Sequence, residues 1–246
     1  MMHENDLFTI LDVVESTNNY AMGQVHAGLA AHGQAWFANE QWGGKGQRDK
    51  KWLSAKGENI IMTIVLKPDK VFKGNQFLFS AFIAGVCHRF FSAIAGNETY
   101  VKWPNDIYFG DRKAGGILIE NVIRGKEWKW AVIGIGININ QTAFAQELHN
   151  ATSLKMITAK RYEVVELAKH LQQAILNELK NPSFEILSKS LQYYNDHLYK
   201  KGQDVKLKKE NALFETCIKG VNNFGQLITE DVMERVFEFG EVSWVQ

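Results

Sequence analysis

The chain has 246 residues, 46% hydrophobic and 12% aromatic, which suffices for one large domain or a large and a small one at the usual ~100 to 200 residues per domain. Its 28 basic and 27 acidic residues leave a formal charge of +1, which excludes a global field for nucleic acid or an anionic membrane and makes any cationic site a local one. Cys87 and Cys217 have no C-x-x-C or histidine spacing beside them and read as buried free thiols of a reducing compartment, not as metal ligands.

The opening Met-Met-His-Glu-Asn-Asp is acidic where a secretory signal is basic and then apolar. The longest apolar run, Phe77 to Cys87, falls short of the ~20 residues of a membrane span, so a soluble cytoplasmic protein with no membrane partner is expected. Phe8 to Val14 reads as a strand. Glu15-Ser16-Thr17-Asn18 then offers N-caps for a helix through about Val25, which Gly28 and Gly33 end, and capping alone would account for Ser16 to Asn18.

Gln34 to Ala38 reads as a short apolar strand that delivers the chain into a loop from Asn39 to Trp52. Three glycines in four positions (Gly43, Gly44, Gly46) allow positive φ and converging N–H groups, and Lys45, Arg48, Lys50 and Lys51 add charge, so the loop can grip a phosphate. It is not a Walker A loop, because the strand Asn59 to Leu66 follows where that motif needs a helix. A flexible cationic surface loop would have the same composition.

Gln76 to Ala95, apolar on almost every face, is expected as a helix buried against a sheet. The strand Thr99 to Lys102 is stopped by Pro104, the polar corner Asn105-Asp106 follows, Ile107 to Phe109 is a second strand, and Gly110-Asp111 turns the chain into a return strand from about Lys113 to Arg124. This hairpin lets Lys113 lie across one mouth with Asn105 and Asp106, and Gly115-Gly116 leaves room for close approach; an ordinary hairpin with a surface ion pair has the same spacing. Glu127 to Asn140 ends in Val-Ile-Gly-Ile-Gly-Ile-Asn-Ile-Asn, whose Gly134, Gly136, Asn138 and Asn140 are expected on one face, able to admit a flat ring or simply to pack closely.

Gln141 to Lys160 reads mainly as a loop, with Phe144 as an apolar cover. Two amphipathic helices, Tyr162 to Leu179 and Phe184 to Leu198, precede short alternating segments around Val205, Leu213 to Val221, Gln226 to Thr229 and Val236 to Phe239, which suggest a small β-barrel.

With these residues laid out, the sequence resembles the biotin protein ligases over nearly its whole length. The motifs run in family order: Ser16-Thr17-Asn18, the loop from Gln41 to Trp52, Lys102-Trp103-Pro104-Asn105-Asp106, Lys113-x-x-Gly116-Ile117-Leu118-x-Glu120, and Gly134 to Asn140. The resemblance implies an α+β catalytic domain over residues 1–198, a mixed β-sheet flanked by helices as in class II aminoacyl-tRNA synthetases, and a small SH3-like β-barrel over 199–246. It implies activation of biotin with ATP to biotinyl-5'-AMP and transfer to a lysine of a biotin carboxyl carrier domain.

Carried over by position, Ser16, Thr17, Asn18, Gln41, Gly44, Lys45, Gly46, Gln47, Lys113, Gly115 and Gly116 would meet biotin. Lys45, Gly46, Gln47, Arg48, Trp52, Lys102, Asn105, Asp106, Lys113, Asn138 and Asn140 would meet ATP. Lys113 would be the catalytic cation, and Asp106 the catalytic carboxylate and candidate Mg²⁺ ligand, with Mg²⁺ arriving as part of the ATP co-substrate and no prosthetic group expected. Where a G-R-G-R pattern is common, this chain has Gly44-Lys45-Gly46-Gln47, so the second arginine is replaced by a neutral amide. Only 15 residues precede Ser16, too few for the winged helix of repressor members, so a monofunctional enzyme without a DNA partner is expected; a homodimer stays open. A lipoate or other acyl ligase of the same superfamily and a non-catalytic biotin or nucleotide sensor are the alternatives.

Overall fold

The computed structural model describes residues 7–48 and 50–245; the N-terminal hexapeptide read above for a targeting signal and Asp49 of the glycine-rich loop lie outside the described residues. Seven strands form one sheet: β1 (Phe8–Val14), β2 (Ala35–Gln41), β3 (Asn59–Leu66), β4 (Thr99–Lys102), β5 (Asp106–Phe109), β6 (Arg112–Arg124) and β7 (Glu127–Asn138), in the order β1-β2-β3-β7-β6-β5-β4. β1 and β2 run parallel and the other neighbours antiparallel, so the sheet is mixed.

Asn-Ile-Ile-Met-Thr-Ile-Val-Leu of β3 is rich in β-branched residues and buried throughout, because helices cover both faces of the sheet. α1 (Thr17–His26) packs on β2, β3 and β7; α2 (Gln76–Ala95) and α4 (Val164–Glu178) pack on the opposite face, with α5 (Phe184–Asp196) against α2. Alternation divides β3 accordingly. Ile60, Met62, Ile64 and Leu66 enter the main core with Phe79, Phe82 and Phe91 of α2, while Val65 meets Ala21 and Val25 of α1.

α2 runs past the apolar stretch that ends at Cys87 because the next side chain, His88, is satisfied in a neutral form. Its Nε2–H donates to the Thr99 carbonyl at 2.9 Å and its Nδ1 accepts from the Tyr193 hydroxyl at 2.8 Å, and burial pushes its pKa down to about 4. By length and composition α2 could cross a membrane, but most of it is buried in the core beneath the sheet.

A second sheet is antiparallel: β8 (Asp204–Lys209), β9 (Ala212–Val221), β10 (Leu227–Glu230), β11 (Glu234–Phe237) and β12 (Ser243–Val245), in the order β11-β10-β9-β8-β12. Leu207, Ile218, Leu227 and Phe237 from it join the same hydrophobic cluster as α2 and the large sheet. Trp103 Nε1 donates to the Gly225 carbonyl at 2.8 Å, and the Asn195 amide exchanges bonds of 2.9 and 2.7 Å with the Val221 backbone. The architecture is the expected α+β one, a mixed sheet flanked by helices with a small β unit at the C-terminal end.

Two element readings are corrected. β2 continues to Gln41 because Val13 and Val14 of β1 pair with Glu40 and Gln41, so Gln41 sits at a strand end and not in the loop. The segment after β7 is not mainly loop: it holds a 3-10 turn at Gln146–Leu148 and a short helix α3 (Leu154–Thr158) capped by Ser153, whose Oγ accepts from Met156 N at 3.2 Å.

Candidate active site

A cavity of about 530 Å³ opens on the α1 face of the large sheet. Its floor is Gly134 to Gly136, Asn138 and Gly116 to Leu118; its sides are Ser16 to Asn18, Gln41, Lys45 to Arg48 and Lys50 to Leu53 of the loop, Lys102 to Asp106 and Lys113; Phe144 and Leu148 cover it, and Phe239, Gly240 and Val242 to Trp244 at the end of the small sheet close it. Lys113 and the glycine-rich loop therefore share one space.

The hairpin explains the central pair. Asp106 is opposite Gly116 in the β5–β6 ladder, and a register irregularity between Ile107 and Tyr108 brings Lys113 round toward that pair. Gly116 has no side chain, so Asp106 Oδ1 and Lys113 Nζ meet over its Cα at 2.7 Å; a Cβ there would lie 3.2 and 3.5 Å from those two atoms. The Lys113 backbone is bracketed from the covering segment, donating to Asn150 O at 2.7 Å and accepting from Thr152 N at 2.8 Å. Lys113 Nζ stands 5.9 Å from the centre of the Trp52 ring.

Lys102 sits in an aromatic cage, its Nζ 4.6 Å from the Tyr108 ring, 5.0 Å from Trp244 and 5.3 Å from Tyr199, and it donates to the Tyr108 hydroxyl at 3.2 Å. Burial among these rings pushes its pKa down to about 8, although Asp106 opposes the shift. The same burial raises the Tyr108 phenol, which stays a neutral donor.

The loop glycines serve a different purpose from the one their spacing suggests. None of Gly43, Gly44 and Gly46 has positive φ; among the loop's described residues the one in the left-handed region is Arg48, at φ 54°. What the glycines supply is absence of a side chain. A Cβ at Gly43 would lie 2.9 Å from Glu15 Cγ, one at Gly44 would collide with Gln41 Nε2 and the Trp52 carbonyl, and one at Gly46 would crowd the Lys50 carbonyl at 3.1 Å. Arg48 reaches across to the small sheet, donating to Gly240 O at 3.2 Å, with its guanidinium 5.5 Å from the Phe239 ring.

The flat ring on the β7 glycines is the protein's own. A Cβ at Gly136 would overlap the Trp52 indole, and one at Gly134 would overlap the Asn18 amide. Trp52 Nε1 is buried without a hydrogen-bond partner, an orphan donor in a wall of the cavity. Behind Asn18 lies a network buried at its threonine end and half-buried at Glu120: Asn18 Nδ2 donates to Glu120 Oε2 at 2.8 Å, and Thr63 Oγ1 lies 2.6 Å from Asn18 Oδ1 and 2.9 Å from Thr17 Oγ1. The Thr17 backbone N–H donates to Gln41 Oε1 at 3.3 Å.

Most sequence-predicted positions line the cavity, and three do not. Gly44 packs behind it on Gln41 and Trp52, and Gly115 faces the Gly136 carbonyl and Ile137 in the next strand. Asn140 lies beyond the end of β7, where the chain turns away, and its amide donates to Tyr162 O at 2.8 Å and accepts from Tyr162 N at 3.0 Å, tying two loops together. Asn138 lines the cavity, its amide donating to Thr152 O at 2.9 Å, and Asn105 donates to the Ile117 carbonyl. Tyr108, Phe239, Gly240 and Trp244 line it too and were not expected; only Tyr108, two residues past Asp106, carried a local signal.

Among the described residues no group of three or more His, Cys, Asp or Glu could hold a metal ion, and Asp106, the one carboxylate in the cavity wall, is paired with Lys113. These residues fit a Mg²⁺ carried in on nucleotide phosphates and do not fit a self-standing metal centre.

Residues 10–138 match the model of the biotin/lipoate A/B protein ligase family. The chain is 34% identical over 164 residues to the bifunctional ligase/repressor BirA of Bacillus spizizenii, covering 65% of this chain and 50% of that protein. It is 32% identical over 127 residues to a biotin--[acetyl-CoA-carboxylase] ligase of Paracoccus denitrificans, covering 51% of each. The chain thus spans about half the length of the curated relatives it matches. Among solved structures, the biotin protein ligase of Aquifex aeolicus in complex with biotin and ATP superposes with a TM-score of 0.80 at 25% identity, over 96% of this chain and 97% of that one. The cavity, the order of its motifs and these matches lead to one assignment: the chain belongs to the biotin/lipoate A/B protein ligase family and has the fold of a biotin protein ligase.

Proposed function

We propose that this protein joins biotin to AMP at the expense of ATP and then transfers the biotinyl group to a lysine of a carrier domain. The observation that carries the reading is a pair of neighbouring cations in one cavity: Lys113 held by Asp106 over Gly116, and Lys102 caged beside it, both lining the space that the glycine-rich loop also lines. The relatives' names and the biotin and ATP complex of the Aquifex enzyme supply the ligand class.

In the first step a biotin carboxylate oxygen attacks the α-phosphorus of ATP, a P–O bond forms, the bond to the β-phosphate oxygen breaks, and pyrophosphate leaves. Lys113, its ammonium already placed by Asp106, offsets the negative charge on the carboxylate and the α-phosphate as they approach. Lys102 holds a leaving phosphate, and the orphan N–H of Trp52 finds its acceptor in the bound adenylate. Mg²⁺ bound with the nucleotide would neutralise pyrophosphate charge, with Asp106 the carboxylate able to touch it.

In the second step the acceptor amine attacks the carboxyl carbon of the mixed anhydride, the C–O bond to AMP breaks, and the amine loses one proton. Asp106, the carboxylate among the described residues of the cavity wall, would take it. Residues 1–198 supply the chemistry and residues 199–246 close the nucleotide end. The test is biotin-dependent pyrophosphate release and biotin transfer to a carrier domain, with lipoate in parallel. Lys113→Ala should lower adenylation by about 100- to 1,000-fold. A Lys113→Ala enzyme near the wild-type rate would refute the assignment, and wild type loading lipoate in place of biotin would move the protein to the other branch of the family.

A further inference from the structure

The network behind Asn18 fixes protons, and those protons decide what the end of the cavity accepts. Glu120 presents a carboxylate, which only accepts, to Asn18, so the Asn18 amide must turn its Nδ2 toward Glu120 and its Oδ1 toward Thr63. An amide oxygen only accepts, so the single hydroxyl proton of Thr63, 2.6 Å away, goes to Asn18. The contact of 2.9 Å between the two threonine oxygens then requires that Thr17 donate to Thr63. With its proton committed, the Thr17 hydroxyl can offer the cavity lone pairs alone.

Three members of this chain of bonds are buried, and the fourth, Glu120, is half-buried. Thr63 is fully buried, Thr17 and Asn18 are 4% and 3% exposed, and the Asn18 amide lies on the bare Cα of Gly134, where any side chain would collide with it. Neither Thr63 nor Glu120 reaches the cavity wall. Beside Thr17, Gln41 has its oxygen occupied by the Thr17 backbone N–H, which leaves its Nε2–H₂ as a donor. This end of the cavity therefore pairs an acceptor with a donor, the complement of a ring carrying an N–H next to a carbonyl.

We infer that Glu120, Asn18 and Thr63 form a positioning relay that holds the Thr17 hydroxyl as a hydrogen-bond acceptor and so selects a cyclic urea over a head group without an N–H, such as a dithiolane. The inference rests on the proposed activity and names the part of the chain that sets its substrate. Thr63 and Glu120 are positioning residues, since each acts on the ligand only through Thr17.

Thr63→Val removes the proton acceptor behind Thr17 at nearly constant volume and frees that hydroxyl to rotate. Adenylation kinetics with biotin and with a biotin analogue methylated on the ureido nitrogen, together with calorimetric binding of each, should give a KM for biotin raised about tenfold or more with the KM for ATP unchanged. Discrimination between biotin and the methylated analogue should narrow by the same factor. Thr63→Ser keeps the needed donor and acceptor and should stay near wild type, whereas Glu120→Leu should behave as Thr63→Val does, with the double variant no worse than either. A Thr63→Val enzyme with wild-type biotin KM, or one in which both KM values rise in parallel with a lowered melting temperature, overturns the relay. Wild type that neither binds biotin nor releases pyrophosphate refutes the activity itself, a separate outcome visible before any variant is made.

Discussion

Lys102 should give adenylation a pH dependence that a surface lysine would not. In water its ammonium would titrate near 10.5; in the cage of Tyr108, Tyr199 and Trp244 burial brings it to about 8, so at pH 7 about nine-tenths of the molecules carry the charge and at pH 9 about one-tenth. A charge-assisted contact to phosphate contributes ~1.5 to 3 kcal/mol, so losing the proton should weaken productive ATP capture by about 10- to 150-fold. Because kcat/KM reports the free enzyme, kcat/KM for ATP in the pyrophosphate-exchange assay should bend downward above about pH 8. Lys102→Arg, which stays charged throughout, should remove the bend whatever its absolute rate.

The same shift predicts a stability effect of defined sign. The folded-state pKa lies below the unfolded one, so the unfolded chain binds more protons between about pH 8 and 10.5 and stability rises with pH across that window. At ~1.36 kcal/mol per pKa unit the burial penalty below pH 8 is on the order of 3 kcal/mol, so Lys102→Met should raise the melting temperature at pH 7 and lose that advantage near pH 10.5. A flat kcat/KM profile, or a bend that survives in Lys102→Arg, would refute the reasoning.

Three further outcomes follow from single features. Gly136→Ala drives a methyl into the Trp52 indole, an overpacking of ~1 to 3 kcal/mol that a loop residue can relieve by swinging away, so nucleotide affinity should fall about 5- to 150-fold with little change in melting temperature, measured by calorimetry and calorimetric melting. Gln47→Arg places a guanidinium where the loop has a neutral amide and should slow dissociation of biotinyl-5'-AMP, followed by rapid dilution with a trap; an unchanged rate would show that the amide is not what limits retention. His88 is held neutral by burial with a pKa near 4, so the unfolded state takes up its proton first and stability should fall from about pH 6.5 toward 4 by up to ~3 kcal/mol, an acid dependence that His88→Gln should flatten in urea titrations.

Much of the fold was legible because local signals agreed. The continuous β-branched run of β3, the all-round apolar face of α2 and the Pro104 and Gly110 punctuation each mark a boundary that the structure keeps. The site was legible where its residues are near in sequence, as with Asn105, Asp106 and Lys113 around one hairpin. What escaped was long-range. A glycine in a sequence announces only permissiveness, and whether Gly44, Gly115 or Gly136 makes room for a ligand or for Gln41, a neighbouring strand or Trp52 is settled by residues far along the chain. Asn140 alternates in phase with Asn138 but belongs to the turn after the strand, where phase no longer holds. Trp244 lies in a strand of three residues, too short to show any period, and owes its place at Lys102 to pairing with β8.

The wall that Trp244, Phe239 and Gly240 contribute means that the small sheet cannot be treated as an interchangeable appendage. Gly240 sits at φ +88° with the Arg48 guanidinium against its bare Cα, so a hybrid carrying a homologous C-terminal unit would have to bring a glycine there and an indole at 244, or leave Lys102 short of one of its three rings and the loop without its anchor. Anyone shuffling modules between such enzymes should therefore cut inside neither unit and at neither border, but exchange the seam residues from both sides together.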